Sequence, residues 1–149
     1  MKSNKNKTIV ICSSASFYRQ VVEVEKQLKD LGFKVKTPLT VSKMKNSGDF
    51  RVETYKTWME RPEDYKRKVY LTKKHFDEVR KGDIVLVLNY KKNGKNGYIC
   101  GAVLMEMAIA FHLKKPIYVL NPIDDTSKYK EELYGMLPKV INGDLSKIK

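Results

Sequence analysis

The sequence predicts an α/β fold in which one doubly wound, five-stranded parallel sheet is covered by helices on both faces. Short apolar runs rich in β-branched residues alternate with longer segments that show helical periodicity. One run, Asp83–Asn89, is apolar throughout between its two polar ends, which is typical of a central strand buried on both faces. The length of 149 residues, with 42% hydrophobic and 32% charged residues, fits a single domain over 1–149.

The first part of the chain predicts a strand, a helix and a second strand. The first strand covers Thr8–Cys12 and stops at the polar turn Ser13–Ser16. The segment Phe17–Leu31 carries apolar residues three and four positions apart, which predicts an amphipathic helix ended by Gly32. The second strand covers Phe33–Thr37.

Two segments fall outside this alternation. Residues 1–6 are polar and basic, and we expect a flexible tail. Residues 39–61 are polar with isolated aromatics, including Tyr55 and Trp58. Because this stretch is too long for an ordinary connection, we expect a lid or a partly helical insertion.

The second part of the chain continues the alternation. A helix is predicted from Pro62 towards Arg80, because Pro and two acidic residues suit a first helical turn. The later elements are the central strand 83–89, a helix over 102–113, a strand over 116–120, a helix around 127–134 and an edge strand over 139–141.

This order of elements favours right-handed crossovers and a flavodoxin-like or Rossmann-like sheet with the strand order 2-1-3-4-5. Ligands of such sheets bind beyond the carboxyl ends of the strands, at the switch point between strands 1 and 3. Polar or small residues of the sequence follow these strand ends. The candidates for substrate contact there are Ser13, Ser14, Ser16, Asn89, Tyr98, Gly101 and Asn121.

Glu106 is the only residue with a charged side chain in the run Tyr98–Phe111. On a helix, its neighbours three and four positions away are all apolar, so this acid does not belong to a polar stripe. A carboxylate removed from water must be paired, hydrogen-bonded, protonated or placed at a ligand site. Glu106 is therefore a candidate catalytic residue, and a structural carboxylate is the alternative.

The helix over 102–113 has apolar residues on all sides apart from this acid. A monomer of this size rarely buries such a helix completely. We therefore expect a homodimer or a higher homo-oligomer that forms through this helix.

The formal net charge is +13, from 30 basic and 17 acidic residues, and such an excess favours anionic partners. However, 25 of the basic residues are lysines spread along the whole chain, and only five are arginines. Specific recognition of phosphates and bases favours arginine. We therefore interpret the lysines as a solvated surface without a nucleic-acid partner, and nucleic-acid binding through this surface is the alternative.

The sequence also argues against a membrane and a metal. No apolar stretch approaches the roughly 20 residues needed to cross a bilayer, and the start of the chain lacks the features of a secretory signal, so we expect a cytoplasmic protein. Cys12 and Cys100 show no metal-ligand spacing, and His75 and His112 have no partner at a useful spacing. We predict neither a metal nor another cofactor.

Five blocks of the sequence together resemble the nucleoside 2-deoxyribosyltransferase-like superfamily. Their order and spacing match that family from about residue 7 to residue 122, and only residues 39–61 lie outside the match. The blocks are Lys7–Ser14, Gly82–Asn89, Tyr98–Gly101, Leu104–Ala110 and Lys115–Pro122.

The resemblance implies an activity and a set of site residues. Glu106 falls on the position of the family's nucleophile, and Phe17 or Tyr18 on an aromatic position of its sugar-binding first loop. Asp83 matches an acid at the start of the third strand, and the loop that ends at Gly101 matches one that helps to hold a sugar or a phosphate. The implied substrate is a nucleoside or a nucleoside 5′-monophosphate.

The implied chemistry is cleavage of an N-glycosidic bond or transfer of a 2-deoxyribosyl group. A carboxylate can trap the anomeric carbon as a glycosyl-enzyme, and we expect the amino-terminal field of the helix to keep Glu106 ionised. The family's transferases usually carry an Asp shortly before the Glu, and its absence from Ile99–Met105 counts against base transfer. The alternative is a module that binds or senses a nucleotide or an ADP-ribose-like ligand without turnover.

Overall fold

Five parallel strands form one sheet with the order β2-β1-β3-β4-β5. The computed structural model describes residues 6–149, so the tail expected over 1–6 lies almost entirely outside the described residues. This topology confirms the predicted α/β, doubly wound fold and its strand order. The strands are β1 Thr8–Ser13, β2 Lys34–Lys36, β3 Ile84–Leu88, β4 Ile117–Val119 and β5 Lys139–Val140.

Helices connect the strands and lie close to the predicted positions. The α-helices are α1 Tyr18–Asp30, α2 Leu39–Ser47, α3 Val52–Tyr55, α4 Tyr65–Lys81, α5 Gly101–His112 and α6 Lys130–Gly135. Short 3-10 turns cover Ala15–Phe17, Pro62–Asp64 and Leu145–Lys147. The insertion over 39–61 is partly helical, since it contains α2 and α3. None of the helices between residues 6 and 149 has both the length and the apolar character to span a bilayer.

The two faces of the sheet bury different sets of side chains. Because successive residues of a strand point to opposite faces, Ile9 and Ile11 of β1 pack in the layer that includes α1. Val10 and Cys12 pack in the other layer, which includes Val79 of α4 and residues of α5. Cys12 therefore lies on the side of the sheet where α4 and α5 pack.

Candidate functional site

A cavity of about 430 Å³ lies between the carboxyl ends of β1 and β2, the insertion and the helices α4 and α5. Its volume is in the range of small-molecule binding sites. The wall includes hydroxyl, aromatic, basic and acidic side chains from these separate elements. The residues on which the chemistry depends are Ser13, Tyr18, Trp58, Lys68, His75 and Glu106.

Glu106 projects from α5 into the wall of this cavity and is only 8% exposed. Within the described residues 6–149, it has no hydrogen bond, and its charged-group contact is with His75, whose Nε2 lies 3.6 Å from Oε2 of Glu106. A buried carboxyl group without hydrogen bonds is costly in a structural role. Its position at the cavity instead suits contact with a ligand.

Burial raises the pKa of Glu106 to about 8, and the positive charge of Lys68 opposes this rise. The expectation that the helix field keeps this carboxyl ionised is therefore wrong. The physical reason is that α5 begins at Gly101, so Glu106 lies beyond the first turn, where the field of the helix terminus has weakened. In the free protein near pH 7, most Glu106 side chains carry a proton.

His75 reaches Glu106 from α4 and is also buried. Its Nε2 atom lies 3.6 Å from Sγ of Cys12, the same distance as from Oε2 of Glu106. Burial lowers the pKa of His75 to about 4, so the imidazole is neutral near pH 7. Cys12 and Glu106 both contact Nε2 of His75. In a catalytic triad the two nitrogens of the histidine ring contact different partners, so Cys12, His75 and Glu106 do not have that geometry.

Cys12 is fully buried, and burial followed by the nearby Glu106 raises the pKa of its thiol well above the ordinary range. Reactive cysteines instead have a lowered pKa and a partly exposed sulfur atom. Cys12 is therefore not suited to act as a nucleophile.

Two aromatic side chains and one lysine form another part of the cavity wall. Trp58 of the insertion is 7% exposed, and Nζ of Lys68 lies 5.6 Å from the centre of its ring. Tyr18, at the start of α1, lines the cavity as well, and burial raises its pKa, with a smaller contribution from Glu106. These rings provide flat apolar surfaces, and Lys68 provides a positive charge close to Glu106.

The three predicted serines lie in different surroundings. Ser13 is buried and lines the cavity, and its hydroxyl donates to the carbonyl oxygen of Ser14 over 2.8 Å. Ser14 is also buried, and its Oγ accepts a 3.4 Å hydrogen bond from the backbone N–H of Ser16, which makes it a cap of the following turn. Ser16 is exposed and lines a separate depression beside Arg19.

The predicted aromatic residues Phe17 and Tyr98 contact each other outside the cavity wall. Their ring centres lie 6.4 Å apart, and Phe17 also packs edge-on against Tyr90 with ring centres 5.3 Å apart. Of the two aromatic residues considered for the first loop, the structure brings Tyr18 to the cavity and turns Phe17 into the protein.

Asn89 and Asn121 join the carboxyl ends of β3 and β4 to each other. Oδ1 of Asn89 accepts from the backbone N–H of Asn121 over 2.9 Å, and its Nδ2 donates to the carbonyl oxygen of Asn121 over 2.8 Å. Nδ2 of Asn121 donates in return to the carbonyl oxygen of Asn89 over 2.9 Å. Because these hydrogen bonds use the side-chain amides of both residues, we do not include Asn89 and Asn121 in the proposed site.

Asp83 and Gly101 lie at opposite edges of the sheet. Asp83 precedes β3, so it is at the amino-terminal edge, where its carboxylate accepts a 2.8 Å hydrogen bond from the backbone N–H of Thr8. This placement is the reverse of the one expected for a substrate ligand. Gly101 begins α5, and a Cβ atom there would come within 3.3 Å of the hydroxyl of Tyr129.

Sequence reasoning missed His75, Trp58 and Lys68 as site residues. His75 lies four residues before the buried Val79, so a signal was present in its position on the apolar stripe of α4. Trp58 stood out only as a large aromatic in a polar insertion. No feature of the sequence distinguished Lys68 from the other lysines.

Neither protein-family models nor curated proteins gave a match to this chain. Function is therefore inferred from the geometry of the site and from the chemistry of its residues.

Proposed function

We propose that this protein cleaves the N-glycosidic bond of a nucleoside or a nucleoside 5′-monophosphate, or transfers a 2-deoxyribosyl group from it, with Glu106 as the nucleophile. The observation that carries the proposal is the position of Glu106. Glu106 is 8% exposed, its carboxyl group has no hydrogen bond within residues 6–149, and it lies on the wall of a cavity of about 430 Å³.

The reaction needs the ionised form of Glu106. A carboxylate oxygen forms a bond to the anomeric carbon while the bond from that carbon to the base nitrogen breaks, and the electron pair of that bond leaves with the base. The base takes up a proton from solvent water as it departs, and the nucleophile that later replaces it gives up a proton to solvent. Water, or a second base in the transfer reaction, then attacks the same carbon and releases the carboxylate.

The rest of the wall supplies suitable contacts for such a substrate. Trp58 and Tyr18 can stack on a base, and base–aromatic stacking typically contributes about 1–3 kcal/mol. Thr72 and Ser13 offer hydroxyl groups to the sugar. Lys68 stabilises the ionised form of Glu106 because its charge lowers the pKa of that carboxyl group.

The assembly and location proposed for the protein follow from surface residues and cysteines. On α5, Phe111 is 54% exposed, and we propose that two copies bury this side of the helix against each other. Met105, which is 45% exposed, lines the cavity instead. Cys12 and Cys100 are both free thiols, which suits a reducing compartment such as the cytoplasm.

A second function is favoured by the raised pKa of Glu106. A protonated carboxyl group can donate a hydrogen bond to a ligand, so the same cavity is suited to binding or sensing a nucleotide or an ADP-ribose-like molecule without turnover. In that case the ligand raises the melting temperature of the protein, and this stabilisation survives Glu106→Gln.

The direct test is incubation with a panel of nucleosides, deoxynucleosides and their 5′-monophosphates, followed by chromatography for free base. We expect the wild type to release base from at least one member, and Glu106→Gln to reduce the rate by more than about 1,000-fold, which corresponds to about 4 kcal/mol of transition-state stabilisation. Glu131→Gln, an exposed position on α6, is the matched control and should retain the wild-type rate.

Two outcomes contradict the proposal. Equal release by wild type and Glu106→Gln would remove the role of the carboxylate. No release from any member, together with ligand-induced stabilisation in both proteins, would support the binding module instead.

A further inference from the structure

Three potential metal ligands from three separate elements meet in the layer between the sheet and the helices. They are Cys12 of β1, His75 of α4 and Glu106 of α5, and all three are buried. One ligand atom from each lies within 4.8 Å of the other two. The proposed reaction uses only Glu106 directly, so the convergence of the other two side chains on it needs its own explanation.

Two of the three distances in this cluster match those of a tetrahedral zinc site. Zinc binds thiolate sulfur at about 2.3 Å and imidazole nitrogen or carboxylate oxygen at about 2.0–2.2 Å. Tetrahedral angles then place sulfur and nitrogen about 3.6 Å apart, and nitrogen and oxygen about 3.4 Å apart. The observed distances are 3.6 Å from Sγ of Cys12 to Nε2 of His75 and 3.6 Å from that nitrogen to Oε2 of Glu106.

We propose that Cys12, His75 and Glu106 bind one Zn²⁺ ion, whose fourth coordination position faces the cavity. The donor types select the metal, because Mg²⁺ and Ca²⁺ prefer oxygen ligands whereas Zn²⁺ accepts sulfur, nitrogen and oxygen together. A thiolate and a carboxylate balance the two charges of the ion, so the complex buries no net charge.

The metal reaches the cluster through the cavity. Cys12 is fully buried, but His75 and Glu106 both line the cavity wall, so an ion that enters there meets these two ligands first. Binding then requires a carboxylate oxygen of Glu106 to move from within 4.8 Å of the sulfur atom to about 3.6 Å from it.

Zinc binding and nucleophilic attack exclude each other at Glu106. A carboxylate oxygen that coordinates zinc has its electron pair engaged and cannot attack carbon. Zinc is therefore expected to be a reversible inhibitor of base release, and this consequence, unlike metal binding itself, rests on the proposed function.

Metal binding can be tested without any substrate. The full-length, tag-free protein is freed of metal with a chelator and titrated with Zn²⁺ by calorimetry and with Co²⁺ by absorption spectroscopy. We expect one ion per chain, the strong visible bands of tetrahedral Co²⁺ and a near-ultraviolet band from charge transfer between sulfur and cobalt.

The variants are chosen in matched pairs. Cys12→Ser should abolish the sulfur–cobalt band, whereas Cys100→Ser, which changes the other free thiol, should retain it. His75→Ala should weaken zinc binding at least about tenfold, whereas His112→Ala, which changes an exposed histidine at the end of α5, should leave the affinity unchanged.

Glu106→Gln tests the same site with a side chain of equal size, and circular dichroism verifies that each variant is folded. A folded Glu106→Gln protein should also bind zinc at least about tenfold more weakly. The proposal is overturned by the absence of saturable one-to-one binding in the wild type. It is equally overturned if the sulfur–cobalt band survives Cys12→Ser or disappears in Cys100→Ser.

Discussion

At the scale of single residues, the surroundings of Glu106 determine its protonation state. Its helical neighbours are apolar, and its contact with His75 is too long for a strong hydrogen bond. Burial therefore favours the neutral form of both side chains, as the raised pKa of Glu106 and the lowered pKa of His75 show. An enzyme that uses the carboxylate must ionise it, and Lys68 is the nearby group that favours this ionisation.

The pKa of Glu106 makes a prediction about stability in metal-free protein. An unfolded Glu has a pKa of about 4.3, whereas the folded value is about 8, so the folded protein holds the extra proton between these values. The free energy of unfolding therefore falls as pH rises from about 4.5 to about 8. Relative to Glu106→Gln, which cannot titrate, the wild type should lose up to about 4 kcal/mol over this range.

The measurement is urea unfolding of both proteins near pH 5 and near pH 9. The titratable groups that face Glu106 are Cys12, Tyr18, Lys68 and His75. Burial, and not Glu106, is the largest cause of the raised pKa of Cys12 and Tyr18, so the difference between the two proteins comes mainly from the carboxyl group. Parallel pH profiles for wild type and variant would show that the carboxyl group is not desolvated.

The candidate site was only partly predictable at this scale. Glu106 was visible because it interrupts the apolar pattern of its own helix, which is a local signal. Cys12 and His75 are 63 residues apart in sequence, so their contact depends on how β1 and α4 pack. Asp83 was assigned to the site by resemblance alone, although an acid that precedes a parallel strand lies at the amino-terminal edge of the sheet, opposite to the candidate site.

At the scale of elements, hydrophobic periodicity located the helices and strands to within a few residues. The period distinguishes a strand such as β3, which is buried at every position, from an amphipathic helix such as α1. Hydrophobic periodicity could not resolve α2 and α3, because the apolar residues of this insertion are isolated in the sequence. Several of them line the cavity, which only the folded structure shows.

The exposed face of α5 makes a prediction about assembly. In a two-fold dimer each apolar contact occurs twice, so Phe111→Glu removes the burial of two aromatic side chains. At about 1.5 kcal/mol or more for each, the dimer dissociation constant should rise at least about 100-fold. Sedimentation of the wild type and the variant over a range of concentrations measures this change.

Leu137→Glu is the control, because Leu137 is 86% exposed but lies outside α5. This variant should sediment like the wild type. A wild-type protein that remains monomeric at high concentration would contradict the assembly through α5.

At the scale of the whole molecule, the sheet order determines where the cavity lies, and the net charge affects the interactions with ligands and with other copies. The order β2-β1-β3-β4-β5 brings the end of β1 and the start of α5 to one edge, which is why Ser13 and Glu106 share a cavity. The formal charge of +13 should favour anionic ligands and should make two copies repel each other. Dimerisation should therefore strengthen as salt screens this repulsion.

In the proposed reaction, the Glu106 carboxylate attacks the anomeric carbon of a nucleoside or nucleotide. The decisive experiment is to acid-quench the metal-free protein during turnover of the panel, measure its intact mass and map the modified peptide. We expect a mass increase of one sugar or sugar phosphate on the peptide that contains Glu106, and no increase in Glu106→Gln. Base release with an adduct on another residue, or with none at any quench time, would contradict this reaction.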